Sequence, residues 1–240
     1  MRYAIFDLDH TLLPHDTQAL FCNFVLRRER WRTLMHLVFL PVAALYALRL
    51  VDVETAKCAF LAFLWRMPKE RLMRYAREFA ETDARQRCYP ELVGEIERHR
   101  REGRALVLNT ASPCIYPADI ARVLGFDHCI ATPLVIEDPM PLIPHLSGAN
   151  NKKQQKIPNM ERDVPGLATL TPEERAGCWS YSDSPADIPL LEFSGRQVLV
   201  HPGRRLAAHF PTATVLRPPR PYQNKFADML CVVRQVLGLY

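Results

Sequence analysis

The chain has 240 residues, 48% apolar and 24% charged, with a net charge of +5 from 31 Lys and Arg against 26 Asp and Glu. That is about 1.6 typical domain lengths, and the balance excludes a disordered, fibrous or collagen-like chain. Of 20 prolines, sixteen fall between Pro113 and Pro221, so a Pro-poor early stretch able to hold long helices precedes a Pro-punctuated remainder.

In chain order, Tyr3-Ala4-Ile5-Phe6 is an apolar run ending at Asp7-Leu8-Asp9, which predicts a buried strand delivering carboxylates at its C-terminal end. No apolar h-region stands at the N-terminus, so no secretory signal is expected. Asp16-Thr17 predicts an N-cap for a helix starting near Gln18. The cluster Arg27, Arg28, Arg30 and Arg32 suits either a solvated helix face or an anionic surface. Thr33–Leu48 then runs sixteen residues without a formal charge, and Cys58–Trp65 is a second apolar stretch. A spanning helix needs about 20 apolar residues, so the two predict an antiparallel helical hairpin instead. Two readings stay open. The hairpin is a buried pair in a soluble helical insert, or it enters one leaflet of a membrane with Trp31, Trp65 and the arginines at headgroup level.

Met67–Arg101 is helical and charged, with Leu72, Tyr75, Phe79 and then Leu92, Ile96 as buried stripes; Pro90 starts a new helix and Gly103 closes it. Arg104–Asn109 reads as the second strand, ending at Thr110-Ala111-Ser112 and followed by a helix through Leu124-Gly125. Cys129–Ala131 reads as the third, residues 133–144 as a Pro-rich loop, Lys152–Lys156 as a short basic segment. Cys178–Ser182, ending at Asp183, is the fourth strand, Gln197–Val200 the fifth, and Phe226–Leu239 a terminal amphipathic helix. Strands separated by helices predict an α/β fold with a parallel, doubly wound sheet. Seven scattered cysteines without a CxxC pair argue against a disulfide framework or zinc site and suit a reducing compartment. The basic cluster lacks a recognition motif for nucleic acid.

In such sheets ligands bind beyond the carboxyl ends of the strands. Asp7 and Asp9, two residues apart, share a face of an extended segment. Thr110 stands near a helix start, where hydroxyl and N–H groups hold phosphate. Asp183 and Asp187 end the fourth strand, and Lys156 or a neighbour supplies a cation. Several close carboxylates need a hard cation, and an all-oxygen set suits Mg²⁺.

The ordered combination resembles the haloacid dehalogenase (HAD) superfamily of phosphohydrolases. Phe6-Asp7-Leu8-Asp9-His10-Thr11-Leu12 matches its first motif, Leu108-Asn109-Thr110-Ala111-Ser112-Pro113 its second and Tyr181-Ser182-Asp183-Ser184-Pro185-Ala186-Asp187 its fourth. Lys156 fits the third, with Lys152 and Lys153 as alternatives. The resemblance implies Asp7 as nucleophile and Asp9 as acid and base. It implies Thr110, Ser112 and Lys156 around phosphate, and Mg²⁺ held by Asp7, Asp9 through its carbonyl, and Asp183, with Asp187 supporting the metal or Lys156. It further implies a Rossmann-like core at residues 1–13 and 103–240 and an all-helical cap at 14–102, as in the phosphoserine-phosphatase-like branch. That branch places an acidic residue near substrate where Asp16 stands, besides its N-cap role. Leu26-Arg27-Arg28 before the apolar run, with Asp187-Ile188-Pro189-Leu190-Leu191, is similar to the phosphatidylglycerophosphatase C subgroup. The expected partner is a phosphate ester, a phospholipid if residues 27–65 dock on a membrane from the cytoplasmic side, as a peripheral or monotopic protein. The alternatives are a soluble metabolite phosphatase and an inactive binding protein that kept the fold; the intact motifs speak against the last.

Overall fold

The computed structural model describes residues 2–222 and 224–240, and within them six parallel strands form one sheet. They are β1 (Tyr3–Phe6), β2 (Ala105–Pro113), β3 (His128–Thr132), β4 (Trp179–Ser182), β5 (Arg196–Val200) and β6 (Thr214–Leu216). Their spatial order is β3-β2-β1-β4-β5-β6, so the winding reverses between β1 and β4. Phe6 pairs with Leu108 on one side and Tyr181 on the other, so β1 and β4 end at the same level. This reversal opens the crevice where doubly wound sheets bind ligands. All four β1 residues are buried, as a strand covered on both faces requires.

Six helices stand between β1 and β2: α1 (Thr17–Arg28), α2 (His36–Ala47), α3 (Val53–Phe60), α4 (Lys69–Phe79), α5 (Arg85–Arg87) and α6 (Pro90–Arg101). Beyond β2 come α7 (Pro117–Leu124), α8 (Lys156–Asp163), α9 (Pro172–Ala176), α10 (Ile188–Phe193), α11 (Arg204–His209) and α12 (Lys225–Val236). Asp16 caps α1 by accepting from the N–H groups of Gln18 and Ala19. Leu72, Ala76 and Phe79 of α4, and Leu92, Ile96 and His99 of α6, recur at i, i+4, i+7 and face inward. Gly125 closes α7 at φ +73°, a left-handed conformation that a side chain disfavours.

One apolar cluster joins sheet and insert: Phe6 and Leu108 from the strands pack with Leu20, Phe21, Phe63 and Phe79. Each such side chain contributes about 1.5–3 kcal/mol on burial. The terminal helix α12, which the sequence groups with residues 103–240, packs against α1 of the insert rather than against the sheet. The apolar hairpin forms as α2 and α3, but its second arm starts at Val53 rather than Cys58, and the end of the expected Cys58–Trp65 stretch is a 3₁₀ turn at Leu61–Leu64. Phe39 at the start of α2 meets Phe60 at the end of α3 (ring centroids 5.1 Å apart), so the pair is antiparallel. Within α2, however, only His36 is buried. Among the described residues, no helix is long and apolar enough to cross a membrane.

Two elements differ from the sequence expectation. β2 runs on through Thr110-Ala111-Ser112, where a strand end was expected, because Asn151 holds the stretch. Its buried side-chain amide donates to Asn109 Oδ1 (2.8 Å) and the Thr110 carbonyl (2.8 Å), while the β2–β3 register shifts between Asn109 and Pro113. β6 was not expected: three half-exposed residues at a sheet edge carry too little alternation to read.

Candidate active site

A cleft of about 580 Å³ opens over the carboxyl ends of β1 and β4. Its floor carries Asp7, Asp9, Lys156, Asp183 and Asp187. Asp7 leaves β1 with its N–H donating to the Tyr181 carbonyl at 3.0 Å, which fixes it beside β4. Lys156, the first residue of α8, is 1% exposed and reaches the same point. Its Nζ donates to Asp7 Oδ1 (2.6 Å) and Asp187 Oδ2 (2.9 Å). Ser182 Oγ donates to the same Asp187 oxygen at 2.8 Å. Lys152 lines the mouth of the cleft and Lys153 is exposed on the 3₁₀ turn before α8, so of the three candidate lysines it is Lys156 that meets the carboxylates.

Thr11 ties the two strand ends together. Its hydroxyl lies 3.2 Å from Asp7 Oδ2 and 3.2 Å from Asp183 Oδ1, and it accepts from the Asp183 N–H. The carboxylates of Asp7 and Asp183 are therefore neighbours, while the other Asp7 oxygen faces Lys156. Burial pushes the Asp7 carboxyl well above its ordinary range; Lys156 opposes this, and Asp187, Asp183 and Asp9 add to it. Asp183 is raised to about 6, by burial first, with His10 opposing and Asp187 adding. Burial works against the Lys156 ammonium, but Asp187 and Asp7 outweigh it and hold it above its usual value. Lys156 thus pairs with two of three close carboxylates, and with all three ionised the net negative charge is one that a divalent cation would offset.

Asp9 turns to a different set of partners. The chain passes through His10 at φ +59° just after it. Its Oδ1 accepts from both the N–H and the hydroxyl of Thr17 (2.6 Å each), and its Oδ2 accepts from Ser112 Oγ (2.7 Å). Asp7 and Asp9 line one cleft, as the two-residue spacing predicts, but with separate contacts. For a cation, Asp7 and Asp183 meet at the Thr11 hydroxyl, while Lys156 and Ser182 both reach Asp187 through its Oδ2. Among the described residues, no three His, Cys, Asp or Glu side chains form a metal cage. The donor set still fits Mg²⁺, a hard ion that keeps several waters and takes one or two carboxylates beside a substrate phosphate.

Thr110 is fully buried, with its hydroxyl accepting from the Ser112 N–H (3.0 Å) and 3.5 Å from Asp9. Ala111 and Ser112 form the cleft wall in front of it. Asp16 caps α1 and also lines the cleft. Burial raises its carboxyl, Asp9 adds to this, and the Ala19 and Gln18 N–H groups offset part.

Lys57 was not anticipated. It stands on α3, reaches across to donate to the Ala111 carbonyl (2.7 Å) and Asn150 Oδ1 (2.7 Å), and lines the cleft. Burial and then Lys152 depress it to about 8, against the pull of Asp9 and Asp16. An ammonium has three donors, so one remains for a bound anion. Thr11, Thr17 and Ser182 were missed as well; Thr11 stands in the first motif and Ser182 in the fourth, and spacing assigns neither a role. The roof of the cleft is apolar: Phe39 and Tyr46 from α2, Val53 and Phe60 from the α3 segment, Val232 and Val236 from α12.

The profile of haloacid dehalogenase-like hydrolases matches residues 4–192. A probable phosphatase of Mycobacterium tuberculosis is 30% identical over 121 residues, 49% of this chain and 39% of that protein. The chain spans half or less of the length of the curated relatives it matches. A Bordetella pertussis Tohama I protein of unknown function superposes with a TM-score of 0.71 at 27% identity, over 90% of this chain and 98% of that one. A phosphoserine phosphatase carrying a phospho-aspartyl intermediate analogue shares the fold with a TM-score of 0.58 at 13% identity, over 98% of each chain. With four-fifths of its length matched by one profile, and the motif residues gathered in one cleft, the chain belongs to the haloacid dehalogenase-like hydrolase family.

Proposed function

We propose that the chain is a Mg²⁺-dependent phosphomonoester hydrolase working through an aspartyl-phosphate, and that its substrate is a lipid phosphate such as phosphatidylglycerophosphate. The observation that carries the substrate reading is the two-sided cleft: a charged floor beneath a roof of Phe39, Tyr46, Phe60, Val232 and Val236. A phosphate on a short polar headgroup suits the floor, and the start of an acyl chain suits the roof.

Asp7 attacks phosphorus, forming an O–P bond as the ester O–P bond breaks. Lys156 holds the attacking carboxylate in place and stays cationic beside the phosphoryl oxygens. Asp9 gives its proton to the departing alcohol oxygen, then takes one from the water that attacks the aspartyl-phosphate. That second attack releases inorganic phosphate and restores the Asp7 carboxylate. The hydroxyls of Thr17 and Ser112 keep the Asp9 carboxylate aimed through both proton transfers. Asp187 and Ser182 fix Lys156, and Thr11 keeps Asp7 and Asp183 together. Asp7, Asp183 and the Asp9 carbonyl would hold a Mg²⁺ ion, whose charge would offset repulsion between carboxylate and phosphate. Lys57 and Lys152 stand at the mouth, where a second anionic group of the substrate would lie.

The competing reading is a soluble metabolite phosphatase. The same two lysines favour it, because a small phosphate ester bearing a second anion would also meet them. A screen with Mg²⁺ separates the two, pairing phospholipid phosphates in mixed micelles against sugar and amino-acid phosphates. Higher kcat/KM on the lipid set supports the proposal, and activity confined to the soluble set overturns its substrate. Asp7→Asn is expected to lower hydrolysis of every substrate by roughly 10³-fold or more. Unchanged turnover would remove Asp7 as nucleophile.

A further inference from the structure

We propose that α2 and α12 together form one docking face for an anionic lipid bilayer, with the mouth of the cleft opening between them. α2 carries no charged side chain over twelve residues. Its Leu37, Leu40 and Ala44, with Leu48 just beyond, recur at i, i+3, i+7, i+11 and stand exposed, Leu37 to 70%. α12 repeats the device: Phe226, Met229, Leu230 and Val233, with Leu237 beyond, face outward at the same spacing, Phe226 to 69%. The inner faces of both helices serve the cleft, through Phe39 and Tyr46 on one and Val232 and Val236 on the other. The helices meet where the His36 ring nitrogen contacts the Val236 carbonyl at 2.5 Å. Two apolar stripes thus flank one opening. Isolated apolar residues on a surface are ordinary, but contiguous stripes of this size mark a contact surface.

Charge selects the occupant. Exposed Arg30 and Arg49 bracket α2, no Asp or Glu lies between them, and Arg27 is exposed one turn earlier. Trp31, 48% exposed, sits against the Arg32 guanidinium, 4.7 Å from the ring centroid. A second copy docked through this face by two-fold symmetry would bring like charges together, whereas anionic headgroups neutralise them. Twelve residues of helix rise only about 18 Å, so each helix lies in the interface plane rather than spanning it. Arg32 itself is not available to lipid. It is buried, and donates to Glu29 and to the carbonyls of Phe63 and Trp65.

Membrane docking stands independently of the catalytic reading; only its use, delivering a lipid phosphate without withdrawing it from the bilayer, rests on it. The test is co-sedimentation with phosphatidylcholine vesicles and with vesicles that also contain phosphatidylglycerol, for the wild type and two surface variants. The expected result is sedimentation with the anionic vesicles alone. Leu37→Glu/Leu40→Glu on α2 and Met229→Glu/Val233→Glu on α12 should each reduce the bound fraction by roughly tenfold or more. Both variants should keep wild-type turnover of p-nitrophenyl phosphate, which reports an intact fold and site. In the unaltered chain, a vesicle-induced blue shift of tryptophan emission reads the same docking without any substitution. Absence of sedimentation and of the shift overturns the proposal, as does loss from the α2 variant alone, or a dimer in solution that the same substitutions dissociate. If the wild type sediments yet hydrolyses no phosphate ester, the docking face stands and the catalytic reading falls.

Discussion

The floor and the roof of the cleft are built on opposite principles. On the floor, each functional side chain has named polar partners: Lys156 two carboxylates, Asp9 the Thr17 and Ser112 groups, Asp187 both Lys156 and Ser182. On the roof, α2 and α12 present apolar side chains whose outer sides no described residue covers. The floor is held by internal pairing, so it tolerates little change. The roof leaves apolar side chains exposed, and under the proposed function it is the part that selects the substrate. α4 and α6, in the same insert, show that this is not a property of the insert as a whole. Their apolar positions turn inward, and the outer face of α4 carries an ion pair, Arg74 with Glu78.

The sharpest break of this contrast is Lys156→Ala. It strands Asp7 and Asp187 as buried carboxylates, and a loss of about 3–5 kcal/mol is expected near neutral pH. The sign of its pH dependence follows from the raised Asp7 carboxyl. Protonation relieves the stranded charge, so the variant should recover part of its deficit as the pH falls below neutral, read by thermal unfolding across that range. A uniform deficit would show that packing, not charge, is what Lys156 provides. On the roof, Phe39→Ser should raise KM for a lipid phosphate about tenfold more than KM for a small phosphate ester. Equal changes would erase the division of labour between floor and roof. The smallest effect belongs to the boundary. Lys57 loses its charge above about pH 8. KM for a substrate with a second anionic group should therefore rise there by a few fold, and Lys57→Met should abolish that rise. A pH profile of KM that Lys57→Met leaves unaltered would place the second anion elsewhere.

Much of the floor was legible in the chain order of its residues. A buried strand ending in Asp7, a second ending near Thr110 and a fourth ending in Asp183 predict one crevice, because parallel strands in a doubly wound sheet end on the same side. What that order did not reveal was how the carboxylates divide. Asp9 turns to Thr17 and Ser112 because the chain bends at His10, and Asp187 turns to Lys156 because Ser182 and the start of α8 hold it there. Lys57 escaped notice since its partners Ala111 and Asn150 lie far away in sequence, and Thr11 and Thr17 since the turn at His10, which brings them to Asp7 and Asp9, has no local signature.

The sequence by itself determined five of the six strands, the helices between the first two and the charged residues at the strand ends, because local apolar runs and strand-end residues are encoded by neighbours along the chain. It left the apolar hairpin with two meanings, buried pair or membrane element, since composition is the same in both. Only the tertiary structure decided that α2 buries His36 alone and leaves its outer face exposed, that α12 crosses back onto α1, and that the two flank one cleft. Exposure depends on which distant segments pack against a helix, and no local pattern carries that.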